Sequence, residues 1–119
     1  MSNLYFKYGV MGAGKTARAI MQAYDYIKKG MVVSVFKCVV QDDIDENNVF
    51  LNSRLNISGN NLKIKAHPFN KNTDLNRILE LEGKPNVIIV DEAQFLNRSQ
   101  VEMLDSIRVK YDIDIYCYG

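Results

Sequence analysis

The chain has 119 residues with a formal net charge of +1, and 47% of its residues are apolar while 24% are charged. This composition is typical of one soluble globular domain. The near-zero net charge excludes the strongly positive surface potential that favours binding to duplex nucleic acid. Because no apolar run is long enough to cross a bilayer and no signal-peptide pattern precedes the first strand, we expect a cytoplasmic protein without a nucleic-acid or membrane partner.

The first half of the chain is predicted to fold as a strand, a helix and a strand, followed by a loop and another strand. The segment Leu4–Tyr8 is rich in aromatic residues and runs into a glycine turn, so we interpret it as a strand whose rings lie in the core. A helical pattern starts at Lys15 and ends before Gly30. Its apolar face consists of Ile20, Ala23, Tyr24 and Ile27. The remaining segments are a buried strand, a long polar loop and a short strand, at Met31–Val40, Gln41–Asn61 and Leu62–Ala66.

The second half is predicted to contain two helices and two strands. Thr73 is expected to cap a helix that ends at Gly83. Asn86–Val90 has the continuous apolar character of a strand covered on both faces. The third helix is expected to start with a capping box of Ser99 and Glu102, and the last strand is Asp112–Gly119. Its inward-facing residues are Val101, Leu104, Ile107 and Tyr111. This alternation predicts an α/β fold with a mostly parallel sheet flanked by helices.

The two cysteines, Cys38 and Cys117, lie in separate apolar segments. Two isolated cysteines make neither a disulfide framework nor a zinc site. We expect them to be buried free thiols in a reducing compartment.

A glycine-rich stretch, KYGVMGAGKTARA, contains Gly9, four further residues, Gly14, Lys15 and Thr16. This spacing is the phosphate-binding pattern G-x-x-x-x-G-K-[ST]. Since a strand ends before it and a helix starts at Lys15, backbone N–H groups of residues 10–16 can converge on phosphate oxygens. Lys15 would reach the β- and γ-phosphates, and the Thr16 hydroxyl would bind Mg²⁺. A glycine turn that contains a lysine by chance is the less favoured alternative.

A second motif, NVIIVDEAQFL, places Asp91 and Glu92 at the end of an apolar strand. Open α/β sheets bind ligands at the carboxyl ends of their strands. Asp91 there is suited to hold Mg²⁺, directly or through water. Glu92 could accept a proton from an attacking hydroxyl or orient a water molecule, although it could also be a solvated charge at a strand end.

Five further residues are weaker candidates. Arg18 and Arg54 could reach phosphates, but each is more typical of a solvated surface arginine. His67 has no obvious catalytic partner and is interpreted as structural. Gln94 and Phe95 could contribute to an acceptor pocket.

The stretches LYFKYGVMGAGKT, VDEAQFL and IYCYG together resemble the type II thymidine kinases, over Leu4 to Gly119. The resemblance implies a RecA-like P-loop NTPase fold, a cytosolic homo-oligomer (dimer or tetramer) and transfer of the ATP γ-phosphate to the 5′-hydroxyl of thymidine. Glu92 matches the catalytic base of that family. The implied nucleotide-binding residues are Gly9, Val10, Met11, Gly12, Ala13, Gly14, Lys15 and Thr16 in the ATP loop, and Asp91, Glu92, Ala93 and Gln94 in the second segment.

The family continues beyond the equivalent of Gly119 into an Arg-Thr-Asp-Phe-like segment, a four-cysteine zinc domain and a loop that closes over thymine. We therefore expect residues 1–119 to form the P-loop nucleotide-binding domain, without a zinc site and with a truncated acceptor side. Two alternatives remain open: a P-loop ATPase or nucleotide switch in which Glu92 orients water, and an inactive ATP-binding relative.

Overall fold

A computed structural model describes residues 2–8, 14–40, 50–57 and 60–119; at 50, 52–57 and 60–62 it describes the backbone alone. Seven strands and three α-helices are present in these ranges, together with one 3₁₀ turn at Ala93–Phe95. The strands are β1 (Leu4–Lys7), β2 (Val33–Cys38), β3 (Phe50–Ile57), β4 (Asn60–Lys65), β5 (His67–Phe69), β6 (Val87–Asp91) and β7 (Asp114–Tyr118), and the helices are α1 (Lys15–Lys28), α2 (Leu75–Glu82) and α3 (Arg98–Tyr111).

Five of the strands form one parallel sheet in the order β1-β7-β6-β2-β5, which confirms the predicted α/β fold. The register places Lys7, Tyr118, Asp91 and Lys37 in one row across four neighbouring strands. All four residues lie at the carboxyl ends of their strands, where parallel sheets bind ligands. The sheet therefore places Lys7, at the start of the first motif, and Asp91, in the second motif, on the same carboxyl-end side.

Helices cover both faces of the sheet. On one face, α1 buries Ala19, Ile20 and Ala23 against Val35 and Ile89. On the other face, helices α2 and α3 pack against the sheet, through Leu75, Leu79, Leu104 and Ile107. Every residue of the central strand β6 is buried, which explains why the strand is apolar at each position before Asp91. None of the helices in the described ranges is both long enough and apolar enough to span a membrane.

The predicted loop Gln41–Asn61 is wrong in its second part. Strands β3 and β4 pair there as an antiparallel hairpin, while residues 41–49 lie outside the described residues. Leu51 is buried against the α1 side of the core, whereas the hairpin sequence is otherwise largely polar. Leu51, Leu55 and Ile57 fall on alternate positions, but polar residues interrupt this pattern, so no sustained strand period was visible.

The predicted strand Leu62–Ala66 falls mainly in strand β4 of this hairpin. The parallel sheet ends instead with β5, a strand that was not predicted. Strand β5 contains Pro68. Proline has no N–H to donate and is tolerated on an edge strand.

The aromatic residues in β1 and directly after it are not in the core, contrary to the prediction. Tyr5, Phe6 and Tyr8 are all exposed, and Tyr8 is 68% exposed. Strand β1 lies at the edge of the sheet, so its rings stack with one another or with β7: Tyr5 lies 4.7 Å from Tyr116, centroid to centroid. The buried face of α1 is also shorter than predicted, because Tyr24 and Ile27 are exposed.

Both cysteines are buried free thiols, as predicted. Burial, with a smaller contribution from the Glu92 charge, raises the pKa of Cys38 to about 11. Burial raises the pKa of Cys117 to about 12. Both thiols are therefore protonated and poorly nucleophilic at neutral pH.

The helix starts differ from the predicted ones by one or two residues. Asp74, and not Thr73, caps α2 and accepts a hydrogen bond from the Arg77 N–H. The capping box of α3 consists of Asn97 and Gln100, where Ser99 and Glu102 were expected. Asn97 Oδ1 accepts from the Gln100 N–H at 2.9 Å, and Gln100 Oε1 accepts from the Asn97 N–H at 2.8 Å. Because Asn97 already accepts a hydrogen bond from a free N–H of the first turn, the N-cap lies two residues before Ser99.

This assignment predicts unequal effects of two neighbouring substitutions. Asn97→Ala removes the cap of α3 and is expected to lower the free energy of unfolding by about 0.5–2 kcal/mol. Ser99→Ala changes an exposed residue within α3 and should alter it by less than about 0.5 kcal/mol. Urea denaturation of the two variants beside the parent chain measures both values. A larger loss for Ser99→Ala would restore the capping box expected from the sequence.

Candidate functional site

The glycine-rich motif leads into the N-terminus of α1. Gly14 caps this helix with a left-handed backbone conformation, φ 78°, and its carbonyl oxygen accepts a hydrogen bond from the Arg18 N–H at 2.9 Å. A residue with a Cβ is strained in that conformation, which accounts for glycine at this position. Lys15 and Thr16 are the first two helical residues. Gly9, Val10, Met11, Gly12 and Ala13 lie outside the described residues.

The two motifs meet at Thr16 and Asp91. The Thr16 hydroxyl donates a hydrogen bond to Asp91 Oδ2 at 3.1 Å, across 75 residues of sequence. Asp91 is the last residue of β6 and is only 3% exposed. A hydroxyl and a carboxylate are thereby held together at the start of α1.

Burial raises the pKa of the Asp91 carboxyl, and the neighbouring Glu92 charge adds to this effect. Three groups act in the opposite direction: the Glu92 backbone N–H and the Thr16 hydroxyl donate hydrogen bonds, and the Lys37 cation attracts the negative charge. Because the pKa of Asp91 is raised overall, desolvation outweighs these three contacts. An additional cation beside Asp91 would therefore be favourable.

Lys37 is a site residue that the sequence reading missed. It is paired in register with Asp91 on the neighbouring strand β2 and is partly buried. The sequence indicated this residue only as a lysine within the mainly apolar segment VSVFKC. A charged residue in a buried strand usually faces a partner, but only the strand order identifies that partner as Asp91.

Glu92 follows Asp91 and has an uncommon backbone conformation. Its φ of 59° and ψ of 38° are left-handed, which costs a residue other than glycine of the order of 1 kcal/mol or more. Its side chain is partly exposed, and its Oε2 accepts a hydrogen bond from Gln94 Nε2 at 2.6 Å. Strain of this kind is concentrated at functional sites, where surrounding contacts maintain it.

Gly119 packs beside this segment and was also missed. Its N–H donates to the Lys7 carbonyl oxygen at 3.0 Å. A Cβ on Gly119 would lie 3.0 Å from the Gln94 backbone nitrogen and 3.1 Å from the Tyr8 ring. Glycine at this position therefore allows the end of β7 to approach both motifs closely.

The weaker candidates are dispersed. Arg18 is exposed one turn along α1, and Phe95 is exposed on the 3₁₀ turn. His67 Nε2 lies 2.8 Å from Glu82 Oε2 on the far edge strand β5, in accord with a structural role. Arg54 falls in β3, and its side chain lies outside the described residues.

Comparison with known proteins agrees with this geometry. A family model described as thymidine kinase matches residues 2–119. The thymidine kinase of Salmonella paratyphi A is 35% identical over 122 residues, and the match covers all of this chain and 56% of that protein. The thymidine kinases of Vibrio cholerae and Coxiella burnetii are each 34% identical, with 60% and 59% of their lengths covered. The chain thus spans less than two thirds of the length of these relatives.

The matched region includes the glycine-rich loop, the Asp91–Glu92 pair and the terminal strand. In the described part of the chain, the Thr16–Asp91 hydrogen bond and the pairing of Asp91 with Tyr118 connect these segments. The chain therefore belongs to the thymidine kinase family.

Proposed function

We propose that this chain binds ATP and transfers its γ-phosphate to the 5′-hydroxyl of thymidine, the activity for which its relatives are named. The observation that carries the proposal is the hydrogen bond between Thr16 and Asp91. In P-loop enzymes a threonine and a strand-end aspartate meet at the metal that accompanies the nucleotide. We further propose that residues 1–119 make one nucleotide-binding domain and that the protein acts in the cytoplasm as a homo-oligomer.

In this proposal the ATP loop consists of Gly9–Thr16. Its backbone N–H groups and the N-terminus of α1 hold the phosphate oxygens, and Lys15 contacts the β- and γ-phosphates. The second segment, Asp91–Gln94, contacts the nucleotide from the strand end. The exposed amide of Gln94 supports the Glu92 carboxylate through its 2.6 Å hydrogen bond.

Thr16 and Asp91 fit a magnesium ion. Mg²⁺ prefers oxygen ligands and is usually held by one or two carboxylates together with substrate phosphates. The Thr16 hydroxyl and the Asp91 carboxylate supply such oxygens, and the buried carboxylate lacks solvent to balance its charge. When bound, the ion would neutralise charge that develops on the phosphates during transfer.

Glu92 is proposed as the catalytic base. Its carboxylate accepts the proton of the thymidine 5′-hydroxyl as that oxygen forms a bond to the γ-phosphorus. The bond between the γ-phosphorus and the β–γ bridging oxygen breaks, and ADP leaves with that oxygen. The left-handed backbone at Glu92 and the hydrogen bond from Gln94 support a fixed position for the accepting oxygen.

The test is a transfer assay with ATP labelled on its γ-phosphate and thymidine as acceptor. We expect label in thymidine 5′-monophosphate, and no product from Lys15→Ala because the phosphates lose their cationic contact. Release of labelled free phosphate without the nucleotide product would instead indicate an ATPase. Binding of ATP with neither product would indicate an inactive relative.

A further inference from the structure

Lys37 is a charged residue in a strand whose other residues are apolar or small. Four of the six residues of β2 are buried, and Lys37 is partly buried near the carboxyl end of the strand. Withdrawing an ammonium group from water costs free energy unless an opposite charge or a hydrogen bond compensates. A lysine is therefore seldom placed in such a strand without a partner or a ligand.

The fold supplies Lys37 with a nearby carboxylate but not with a direct ion pair. In the ranges that the structure describes, no carboxylate lies within ion-pair distance of the Lys37 ammonium. The Lys37 charge acts on its register partner Asp91, and that carboxylate already accepts hydrogen bonds from the Thr16 hydroxyl and the Glu92 N–H. Within the described part of the chain, the ammonium therefore keeps its N–H donors for a ligand.

The direction of the Lys37 side chain follows from the alternation along β2. Val35 packs on the α1 side of the sheet, whereas Phe36 packs on the side of α2 and α3. Because successive side chains of a strand point to opposite faces, Lys37 lies on the α1 face. The start of α1 is where Thr16 meets Asp91, so Lys37 faces the same site.

Strand register also determines which groups Lys37 can reach. Lys37 is paired with Asp91, and neighbouring strands lie about 4.8 Å apart. Glu92, the proposed base, is the next residue along the chain. The flexible four-carbon stem of a lysine can cross this spacing to a group bound between the two carboxylates. In the proposed reaction that group is the phosphoryl group, which passes from the donor near Thr16 to the hydroxyl held by Glu92.

The charges at this point of the sheet favour a further cation. Asp91 and Glu92 are adjacent carboxylates, and both repel a phosphoryl group that is placed between them. During transfer, negative charge is spread over the three equatorial oxygens of that group. Lys15 is assigned to the phosphates at the helix start, whereas Lys37 approaches from β2. A compact ammonium with rotatable N–H donors can follow the oxygens as the group moves.

We propose that Lys37 is a further catalytic residue of the transfer, and that its ammonium contacts the oxygens of the phosphoryl group as this group moves from ATP to the acceptor hydroxyl. The bond changes are those of the proposed transfer, and Lys37 keeps its protons throughout. Since the contact is strongest while the group lies between Asp91 and Glu92, it raises kcat more than ATP affinity. The inference rests on the proposed function, because it requires phosphoryl transfer beside Glu92.

The experiment replaces Lys37 in the full chain and measures transfer to thymidine, together with calorimetric binding of Mg·ATP and Mg·ADP. Lys37→Met and Lys37→Gln remove the charge, and Lys37→Arg retains it. We expect both neutral variants to lower kcat about 100-fold, with both nucleotide affinities within about threefold of the parent values. Lys37→Arg should recover about tenfold of this loss, since it supplies a cation of another shape. Lys84→Met, at an exposed lysine before the amino end of β6, should change none of these values.

A second measurement separates a catalytic contact from a structural one. Aluminium fluoride binds beside ADP as a mimic of the phosphoryl group in transfer, so it reports the contact without any reaction. With thymidine present, we expect aluminium fluoride to tighten binding of Mg·ADP to the parent by about tenfold or more. The two neutral variants should lose this gain, whereas a loss of fold stability alone would leave it intact.

The other outcomes contradict the inference in different ways. Undiminished kcat in both neutral variants would remove Lys37 from catalysis, and so would an aluminium fluoride gain equal to that of the parent. Equal losses of Mg·ATP and Mg·ADP affinity at unchanged kcat would instead assign Lys37 to nucleotide binding. If the parent chain transfers no phosphate to thymidine, the proposed function itself is wrong, and the inference fails with it.

Discussion

Glu92→Gln is expected to reduce phosphoryl transfer to thymidine by about 10²–10⁴-fold, the usual contribution of a positioned general base. The amide cannot accept the proton of the 5′-hydroxyl. Its carbonyl oxygen can still accept the hydrogen bond that Gln94 Nε2 now donates to Glu92. Mg·ATP affinity should therefore remain within about twofold of the parent value, since no phosphate contact is assigned to this carboxylate.

Initial rates and calorimetric affinities, measured on the same preparation, separate these two effects. Glu80→Gln makes the same chemical change on an exposed part of α2 and should leave both values unchanged. Undiminished transfer by Glu92→Gln would remove Glu92 from the role of base. A parallel loss of ATP affinity would instead show that the Glu92 carboxylate itself, and not only the backbone of this segment, binds the nucleotide.

Asp91→Asn is expected to stabilise the fold while reducing transfer by about 100-fold or more, a loss typical of removing one electrostatic contact to a reacting group. Burial raises the pKa of Asp91 above its ordinary value of 3.8, so ionisation of this side chain opposes folding at neutral pH. The substitution removes that charge, and the Thr16 hydroxyl can rotate to accept a hydrogen bond from the new amide. Gains in stability at the expense of activity are common at functional sites.

The raised pKa of Asp91 also predicts how the free energy of unfolding changes with pH. Between the ordinary and the raised pKa, the folded chain keeps a proton on Asp91 that the unfolded chain has released. The contribution of Asp91 to the free energy of unfolding therefore falls as the pH rises through this window, and it is constant above it. Denaturant titrations of the parent and Asp91→Asn at several pH values should show the parent losing this contribution and the variant lacking it.

Asp105→Asn is the control for this comparison. Asp105 lies on α3 with an exposed side chain 2.8 Å from Arg108, and exposed ion pairs contribute little to stability. Its substitution should leave transfer unchanged. If Asp91→Asn lowers the free energy of unfolding at neutral pH, the hydrogen bonds from Thr16 and Glu92 outweigh the cost of burying the charge.

The parallel sheet was predictable because a strand buried on both faces has a continuous apolar sequence, which can be recognised without knowing its neighbours. Val87–Asp91 is buried on both faces, and such a strand is apolar at every position except its functional end. The β3–β4 hairpin was not predictable, since polar residues interrupt the alternation of its apolar residues and its asparagines are typical of loops. The exposure of Tyr5 and Phe6 was also hidden, because aromatic composition does not reveal whether a strand lies at an edge.

By itself, the sequence determined the chemical groups: a glycine-rich turn before Lys15 and Thr16, and an acidic pair after an apolar strand. These signals are local, since each depends on residue types within about ten positions. Only the tertiary structure decided how they combine. Strand order placed Lys37 opposite Asp91, and packing of α1 brought the Thr16 hydroxyl within 3.1 Å of the Asp91 carboxylate. Such contacts join residues far apart in the chain, and they form because burying both faces of one sheet permits few arrangements of its strands and helices.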